Sequence, residues 1–102
     1  MTAAASQRID LWIWHARMVR TRSAAARLVA AGKVRVNGAR VQKPGHTVAP
    51  GDVLTFVLSG RVRVLRVVGF SPRRGPYREA CTLYDDVSPP VDTAGARSNI
   101  DF

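Results

Sequence analysis

Apolar residues recur at helical spacing near the start of the chain. Positions i, i+3, i+4 and i+7 share one face of a helix, so this spacing predicts a helix with one buried stripe. The helix should begin near Ile9, and its stripe consists of Ile9, Trp12, Ile13 and Ala16. Leu11 and Trp14 lie off the stripe, so they either pack against a later element or stay exposed.

A second apolar stripe follows a polar connection over residues 17–22. The Thr21 hydroxyl is suited to cap the next helix, with Ser23 as the alternative cap. Gly32 is a natural end for it, because glycine tolerates the left-handed conformation. The pattern therefore predicts a helix through residues 24–31 with an inward face of Ala25, Leu28 and Val29.

After Gly32 the pattern changes to alternation, which is typical of strands. Residues 33–36 alternate basic and apolar side chains and predict a half-buried strand. Asn37-Gly38 predicts a tight hairpin into residues 39–41, because both residue types tolerate positive φ. Further strands are predicted at residues 53–58 and 61–70, with a turn at Ser59-Gly60. The alternation slips at Leu65, which predicts a bulge or bend there.

The remaining segments complete the predicted organisation. A flexible N-terminus (residues 1–7) precedes a compact α+β domain (8–70), a basic loop with a short helix (71–90) and a disordered acidic tail (91–102). The short helix should run from Tyr77 to about Val87, with Asp85-Asp86 at its solvated end and Pro89-Pro90 after it. Its predicted inward face carries Tyr77, Ala80, Cys81, Tyr84 and Val87.

Charge adds a strong asymmetry to this organisation. The 102 residues carry a formal net charge of +9, and residues 1–78 hold 15 of the 16 basic residues against only two acids, Asp10 and Asp52. Such an excess indicates a polyanionic partner, since self-repulsion destabilises a compact chain. No apolar run approaches the length of a membrane span, and the N-terminus does not resemble a secretory signal, so a cytoplasmic protein is expected.

The sequence contains no constellation that predicts catalysis, a metal site or a cofactor site. The glycines stand singly at turns, and His15 and His46 fall on different elements without a third ligand. Ser23 has no evident base beside it. The single cysteine, Cys81, excludes an internal disulfide and a cysteine-rich zinc site, and it is expected to be a partly buried apolar residue.

The basic residues of the first half instead predict a binding surface. Arg22 and Arg27 should lie on the outer side of the second helix, with Arg17 and Arg20 leading into it. Lys33, Arg35 and Lys43 follow on the strands, so all could converge on one surface and meet successive phosphates. The helix N-terminus would serve RNA or DNA. Structured RNA fits better, because nothing indicates a major-groove helix-turn-helix.

Several of these residues occur in an ordered pattern that resembles a known family. The matching positions are Arg8-Ile9-Asp10, Trp12, Arg17, Arg20-Thr21-Arg22-Ser23, Ala25, Leu28-Val29, Gly32-Lys33-Val34 and Val36-Asn37-Gly38. Over about residues 8–56 they resemble the RNA-binding domain named for ribosomal protein S-four. The resemblance implies an α+β fold in which two helices, the alpha-L motif, pack on a small antiparallel sheet.

The resemblance also implies which residues contact RNA. They are Arg8, Arg17, Arg20, Thr21, Arg22, Ser23, Arg27, Lys33, Arg35, Asn37 and Lys43. Asn37 has an alternative interpretation as a turn residue. Asp10 is interpreted as orienting a neighbouring arginine.

A second, shorter pattern narrows the family. Gly69-Phe70, Arg73-Arg74-Gly75-Pro76, Glu79-Ala80 and Leu83-Tyr84-Asp85 resemble the C-terminal extension of the heat-shock protein fifteen branch. That branch implies a small bacterial, ribosome-associated stress protein without membrane or small-molecule partners. It would bind ribosomal RNA and tRNA on large subunits stranded with a nascent chain, and be a monomer away from the ribosome. Here the acidic end replaces the usual basic tail.

Two other functions remain open from the sequence. An RNA-modifying enzyme could carry the same domain, but no catalytic domain is recognised after residue 70. An assembly adaptor could use Leu11, Trp14 or the predicted helix at residues 77–87 to bind a protein partner.

Overall fold

The protein is described by a computed structural model that covers residues 6–89. Three helices, a 3₁₀ turn and seven strands alternate along this part of the chain. In order they are β1 (Gln7–Arg8), α1 (Ile9–His15), α2 (Arg22–Ala30), β2 (Val34–Val36), β3 (Ala39–Val41), β4 (Thr47–Val48), β5 (Val53–Leu58), β6 (Arg61–Val67), α3 (Tyr77–Ala80), the 3₁₀ turn (Cys81–Leu83) and β7 (Tyr84–Asp86). The fold is therefore a small α+β domain.

The main sheet has five antiparallel strands in the order β3-β2-β5-β6-β7. A separate two-stranded antiparallel pair joins β1 to β4. Gln7 pairs with Val48, so regular structure begins inside the segment that was predicted to be frayed. The strand at Thr47–Val48 was not predicted, because two residues carry no detectable alternation. The chain enters α1 directly from this pair.

Helices α1 and α2 pack together and cover one face of the main sheet. The predicted stripes are confirmed, since Ile9, Trp12, Ile13, Ala16, Ala25 and Val29 are fully buried. Leu28 is half-buried against them, together with Trp14. On the sheet, Val34, Leu54, Phe56, Leu65 and Val67 complete the core. Burial of this apolar surface is the main stabilising contribution to the fold.

Two hairpins have the predicted tight turns. Asn37 and Gly38 have φ values of 52° and 87°, and Val36 pairs directly with Ala39. Ser59 and Gly60, with φ values of 52° and 77°, make the same kind of turn between β5 and β6. Positive φ at both central residues matches the twist of the flanking strands, which explains why these dipeptides are found there.

The fourth predicted strand differs in two respects. It ends at Val67 and not at Phe70, because the amides of Val68 and Gly69 donate to the Leu83 carbonyl. The predicted bulge near Leu65 is wrong, since β5 and β6 pair without interruption from Val53↔Arg66 to Leu58↔Arg61. The alternation changes at Leu65 because Leu65 and Val67 are the residues of β6 that are buried in the core. Arg63 lies on the core-facing side but pairs with Asp86 at 3.0 Å.

The predicted C-terminal helix begins at Tyr77 as expected but is much shorter than predicted. Helix α3 ends at Ala80, and Tyr84–Asp86 form a strand that pairs with β6. Asp85 and Asp86 form ion pairs with Arg66 and Arg63 and do not end a helix. The predicted inward face is right for Ala80 and Tyr84, which are buried and half-buried, but Tyr77, Cys81 and Val87 are exposed, so the expected partial burial of Cys81 is wrong. The predicted tail, residues 91–102, lies outside the described residues.

No helix within residues 6–89 has the length and apolar character needed to cross a membrane.

Candidate nucleic-acid interface

A buried carboxylate organises the start of α1. Asp10 is 2% exposed and lies in the first helical turn, where a negative charge is favourable. Arg8 donates to both of its oxygens, at 3.0 and 2.9 Å. The Leu11 amide donates at 2.8 Å, and the Arg22 Nε atom lies 3.7 Å away. Asp10 therefore binds Arg8, which precedes α1, and lies close to Arg22, the first residue of α2. This agrees with its predicted role of orienting a neighbouring arginine.

The pKa of Asp10 reflects this environment. Burial raises it, but the hydrogen bonds from Arg8 and the Leu11 amide and the charges of Arg8 and Arg22 outweigh burial, so the net pKa lies below its ordinary value. The ionised form is thus favoured in the folded state. Its stabilising contribution is present above the unfolded-state pKa of 3.8 and is lost as the pH falls through the folded-state pKa.

Replacing Asp10 with asparagine should destabilise the fold by about 1–3 kcal/mol at pH 7, since charge-assisted bonds at a buried site are lost. The variant should also lose part of the acid sensitivity that the wild type shows below about pH 4. Urea denaturation at several pH values measures both effects. Asp85→Asn is the matched control, because Asp85 is 62% exposed and its ion pair with Arg66 is 3.7 Å long. Equal losses in the two variants would contradict the role of Asp10.

The end of α1 places Arg17 in an unusual backbone conformation. The Arg17 amide donates to the Trp14 carbonyl, and the Met18 amide donates to the Ile13 carbonyl. These two hydrogen bonds are the pattern of a Schellman helix end. The residue at this position is usually glycine, but Arg17 occupies it with φ of 63°. The Arg17 Nε atom donates to the Gly75 carbonyl at 2.7 Å.

The connection between α1 and α2 is held by side chains from both sides. The Trp14 indole donates to the Arg20 carbonyl at 3.3 Å. Arg74 reaches back from the basic loop and donates to the carbonyls of Trp14 and Val19 at 3.1 and 3.2 Å. Its guanidinium also lies 5.7 Å from the centre of the Trp14 ring, within the range of a cation–π contact. Trp14 is therefore occupied by an intramolecular partner.

Thr21 caps α2 as predicted. Its hydroxyl accepts a hydrogen bond from the Ala24 amide at 3.0 Å. Ser23 lies exposed in the first turn, which contains no acidic residue. The uncapped amides of this turn therefore carry positive partial charge without a competing carboxylate on the helix.

The remaining predicted basic contacts fall into different places. Lys43 is the first residue of a turn that contacts the start of α1. In this turn the Pro44 carbonyl accepts a hydrogen bond from the Asp10 amide, and the His46 carbonyl accepts one from the Ile9 amide. Arg27 and Lys33 are exposed at the opposite end of α2 from Thr21.

His15 is a buried residue at the end of α1 whose pKa is affected by arginines from two other segments. It is 4% exposed, and burial, followed by the positive charges of Arg22 and Arg74, lowers its pKa despite the opposing effect of the Ser71 backbone. The lowered pKa favours the neutral imidazole, and the two charges that contribute to it come from the start of α2 and from the basic loop. We call Arg8, Arg17, Arg20, Arg22, Lys43 and Arg74 together the basic surface. The only carboxylate that this part of the described structure presents to them in an ion pair is the buried Asp10.

The predicted convergence of all basic residues on one surface is wrong. Val34 and Val36 point into the core beneath the helices, so the intervening Arg35 leaves the opposite face of β2. There it pairs across the strands with Arg40 and Thr55.

Asn37 has its side chain committed within the fold. It donates to Asp52 at 3.1 Å and accepts from the Val53 amide at 3.0 Å. These contacts agree with its interpretation as a turn residue.

Arg74 was not predicted among the site residues. The signals for it were the pair of arginines in the loop at residues 71–76 and the place of that loop in the second resemblance. Nothing local indicated that one of them folds back against residues 14–19. Arg73, its neighbour, is exposed, and its side chain forms no hydrogen bond or ion pair within the part of the chain that the structure describes.

A metal centre has no counterpart in the described residues. Among residues 6–89, no group of three His, Cys, Asp or Glu side chains is arranged to hold a metal ion.

Comparison with known proteins relates this geometry to a family. The S4 domain matches residues 7–54. Heat shock protein 15 of Escherichia coli (strain K12) is 34% identical over 89 residues, which is 87% of this chain and 66% of that protein. The homolog of Haemophilus influenzae is 31% identical over 96 residues, covering 90% of this chain and 72% of the relative. The chain thus spans about two-thirds of the length of the Escherichia coli protein.

A solved structure has the same arrangement of elements. The trimeric structure of Vibrio cholerae Heat Shock Protein 15 aligns with a TM-score of 0.76 and 34% identity. The alignment covers 80% of this chain and 82% of that one. With relatives above 30% identity over most of both chains, this protein belongs to the heat shock protein 15 family and contains an S4 domain.

Proposed function

We propose that this chain is a non-catalytic protein that binds structured RNA through the basic surface. The observation that carries the proposal is that α1 and its connection to α2 hold four arginines in place, two on the buried Asp10 and two on backbone carbonyls. Membership in the S4 domain family supports RNA as the polyanion. Fixed arginines on packed helices suit recognition of RNA shape and backbone better than reading of base edges in a groove.

The predicted contact residues have different roles in this proposal. The RNA backbone would be contacted directly by the side chains of Arg20, Thr21, Ser23 and Lys43. Arg17 and Arg74 lie beside them. Arg8 and Arg22 bind in orientations that Asp10 sets. Arg27 and Lys33 would extend contact along α2, and Arg35 would serve a second, separate face. Asn37 would act through the turn geometry.

We further propose that the RNA is ribosomal RNA and tRNA of a large ribosomal subunit that still carries a nascent chain, so that the protein helps to rescue it under stress. The family name, which includes heat shock, supports the stress connection. The protein would be ribosome-associated in the cell. Its monomeric state away from the ribosome remains a prediction, whereas the Vibrio cholerae relative has a trimeric structure.

Arg20→Ala should weaken binding to purified large-subunit ribosomal RNA by about fivefold to tenfold at 0.1 M salt, because one phosphate contact is lost. The slope of log K against log salt should fall by about one. Fluorescence anisotropy titrations measure both quantities. Arg61→Ala is the matched control, since Arg61 is exposed at the far end of the β5–β6 hairpin and carries the same charge. If the control lost as much affinity, binding would follow net charge and not this surface.

An adaptor function has one observation in its favour. Tyr77 is 67% exposed, and Val68 and Val87, near the C-terminal strand, are 48% and 42% exposed. These side chains could contact a protein beside the RNA. Copurification of a protein partner after nuclease treatment, lost on Tyr77→Ser, would favour this candidate.

A further inference from the structure

The basic loop, residues 71–76, brings Arg74 close to Arg17. Arg17 comes from the end of α1, and Arg74 comes from 57 residues later in the chain. Arg17 donates to the carbonyl of Gly75, the residue next to Arg74, while Arg74 donates to carbonyls of the α1–α2 connection. Each segment therefore anchors the arginine of the other.

The two positive charges lie close enough to affect each other. Partial burial, followed by the charge of Arg17, lowers the pKa of Arg74. Within residues 6–89, neither arginine forms an ion pair, whereas Arg8, Arg22, Arg63 and Arg66 each have an aspartate partner. Glu79 lies against the Gly75 backbone but does not pair with either guanidinium. Within the described residues, carbonyl oxygens are the hydrogen-bond acceptors of both guanidiniums, and no carboxylate pairs with either of them.

Both guanidiniums keep hydrogen-bond donors for a ligand. Arg17 uses its Nε–H internally, so its two terminal amino groups remain. Arg74 uses Nε and Nη2, so Nη1 remains. Because the internal bonds fix the position of each guanidinium, little side-chain freedom would be lost on binding an anion. Guanidinium groups match the geometry of phosphate oxygens well.

The backbone of Arg17 gives an independent observation. A side chain at φ of 63° is strained relative to glycine, and a glycine would form the same helix end without that strain. A strained arginine at a position that favours glycine agrees with a role in binding and not in stability.

We propose that Arg17 and Arg74 jointly bind one backbone phosphate of the RNA, at a site that the C-terminal loop adds to the S4 domain. This inference rests on the proposed RNA-binding function. Arg74 lies outside the residues that match the S4 domain, which end at residue 54. The phosphate site adjoins Arg20 through Trp14, whose indole donates to the Arg20 carbonyl and whose ring contacts Arg74. It therefore extends the basic surface by one contact.

Arg17→Gly is the decisive variant. It removes the guanidinium and its hydrogen bond to the Gly75 carbonyl but places the preferred residue at the helix end, so the two effects offset each other and the melting temperature should change little. Affinity for purified large-subunit ribosomal RNA should nevertheless fall about tenfold at 0.1 M salt. Arg73→Ala removes the same charge from the exposed position next to Arg74, and it should lower RNA affinity by about threefold or less. An unchanged affinity in Arg17→Gly, or a loss no greater than in Arg73→Ala, would overturn the site.

Coupling between the two arginines provides the second test. If they bind one phosphate, Arg17→Gly combined with Arg74→Gln should lose clearly less affinity than the product of the two single losses. Independent, multiplicative losses would assign them to separate phosphates and refute the joint site. Failure of the wild type to bind the RNA would overturn the proposed function along with this site, whereas normal wild-type binding with unaffected variants would overturn the site alone.

Discussion

Raising the salt concentration from 50 to 200 mM should weaken binding to large-subunit ribosomal RNA by on the order of a thousandfold. A surface that contacts about five phosphates, one of them shared by Arg17 and Arg74, releases a corresponding number of counterions, so log K should fall with log salt with a slope between about −4 and −5. The residues expected to make these contacts are Arg8, Arg17, Arg20, Arg22, Lys43 and Arg74. Anisotropy titrations at constant pH across this salt range give the slope directly.

The contrary result would be a shallow response, with a slope near −1 or −2. Such a slope would mean that apolar or hydrogen-bond contacts dominate, and it would favour the exposed Tyr77 region as the binding surface. A double-stranded DNA of equal length is the control ligand. Comparable affinity and slope for DNA would remove the preference for structured RNA, while leaving the basic surface as a general polyanion site.

Replacing Trp12 with alanine should destabilise the domain by about 3–5 kcal/mol. Trp12 is fully buried, and its indole donates to the Gly69 carbonyl at 3.0 Å. Its ring meets Tyr84 edge-on, with centroids 6.4 Å apart. One side chain thus connects α1 to the segment after β6 and to β7. Because a domain of this size is stabilised by only about 5–15 kcal/mol, the variant should be close to unfolding at 37 °C.

Urea denaturation followed by far-UV circular dichroism measures this effect. Trp12→Phe is the control, because it keeps most of the buried ring and removes the indole donor, so about 1–3 kcal/mol should be lost. A loss below 1 kcal/mol in Trp12→Ala would contradict the central position of this residue. It would imply that the helices and the C-terminal segment are stabilised separately.

The parts of the fold that could be predicted are those determined by residues close in sequence. The buried stripe of α1 follows from apolar spacing within seven positions, and the Thr21 cap acts on an amide three residues away. The hairpins at Asn37-Gly38 and Ser59-Gly60 depend on positive φ at two adjacent residues. In each case the physical cause lies within one turn of chain, so the sequence pattern contains it.

The C-terminal segment was mispredicted because its structure depends on a distant partner. Residues 77–87 have apolar spacing compatible with a helix, and four of them do form α3. Beyond the 3₁₀ turn, however, the open edge of β6 offers hydrogen bonds to Tyr84–Asp86, and Arg63 and Arg66 offer charges to Asp86 and Asp85. These tertiary contacts outweigh local helical preference, which is weak for so short a segment.

By itself, the sequence determined that this protein has two short helices followed by a hairpin sheet, and that its first half is strongly basic with one acid. Spacing, turn residues and charge are local or additive properties, and they can be read without coordinates. Only the tertiary structure decided that Asp10 joins Arg8 to Arg22, that Arg35 faces away, and that Arg74 returns to Arg17. Those relations depend on how strand faces and distant loops meet when the core is buried, and no local pattern records that.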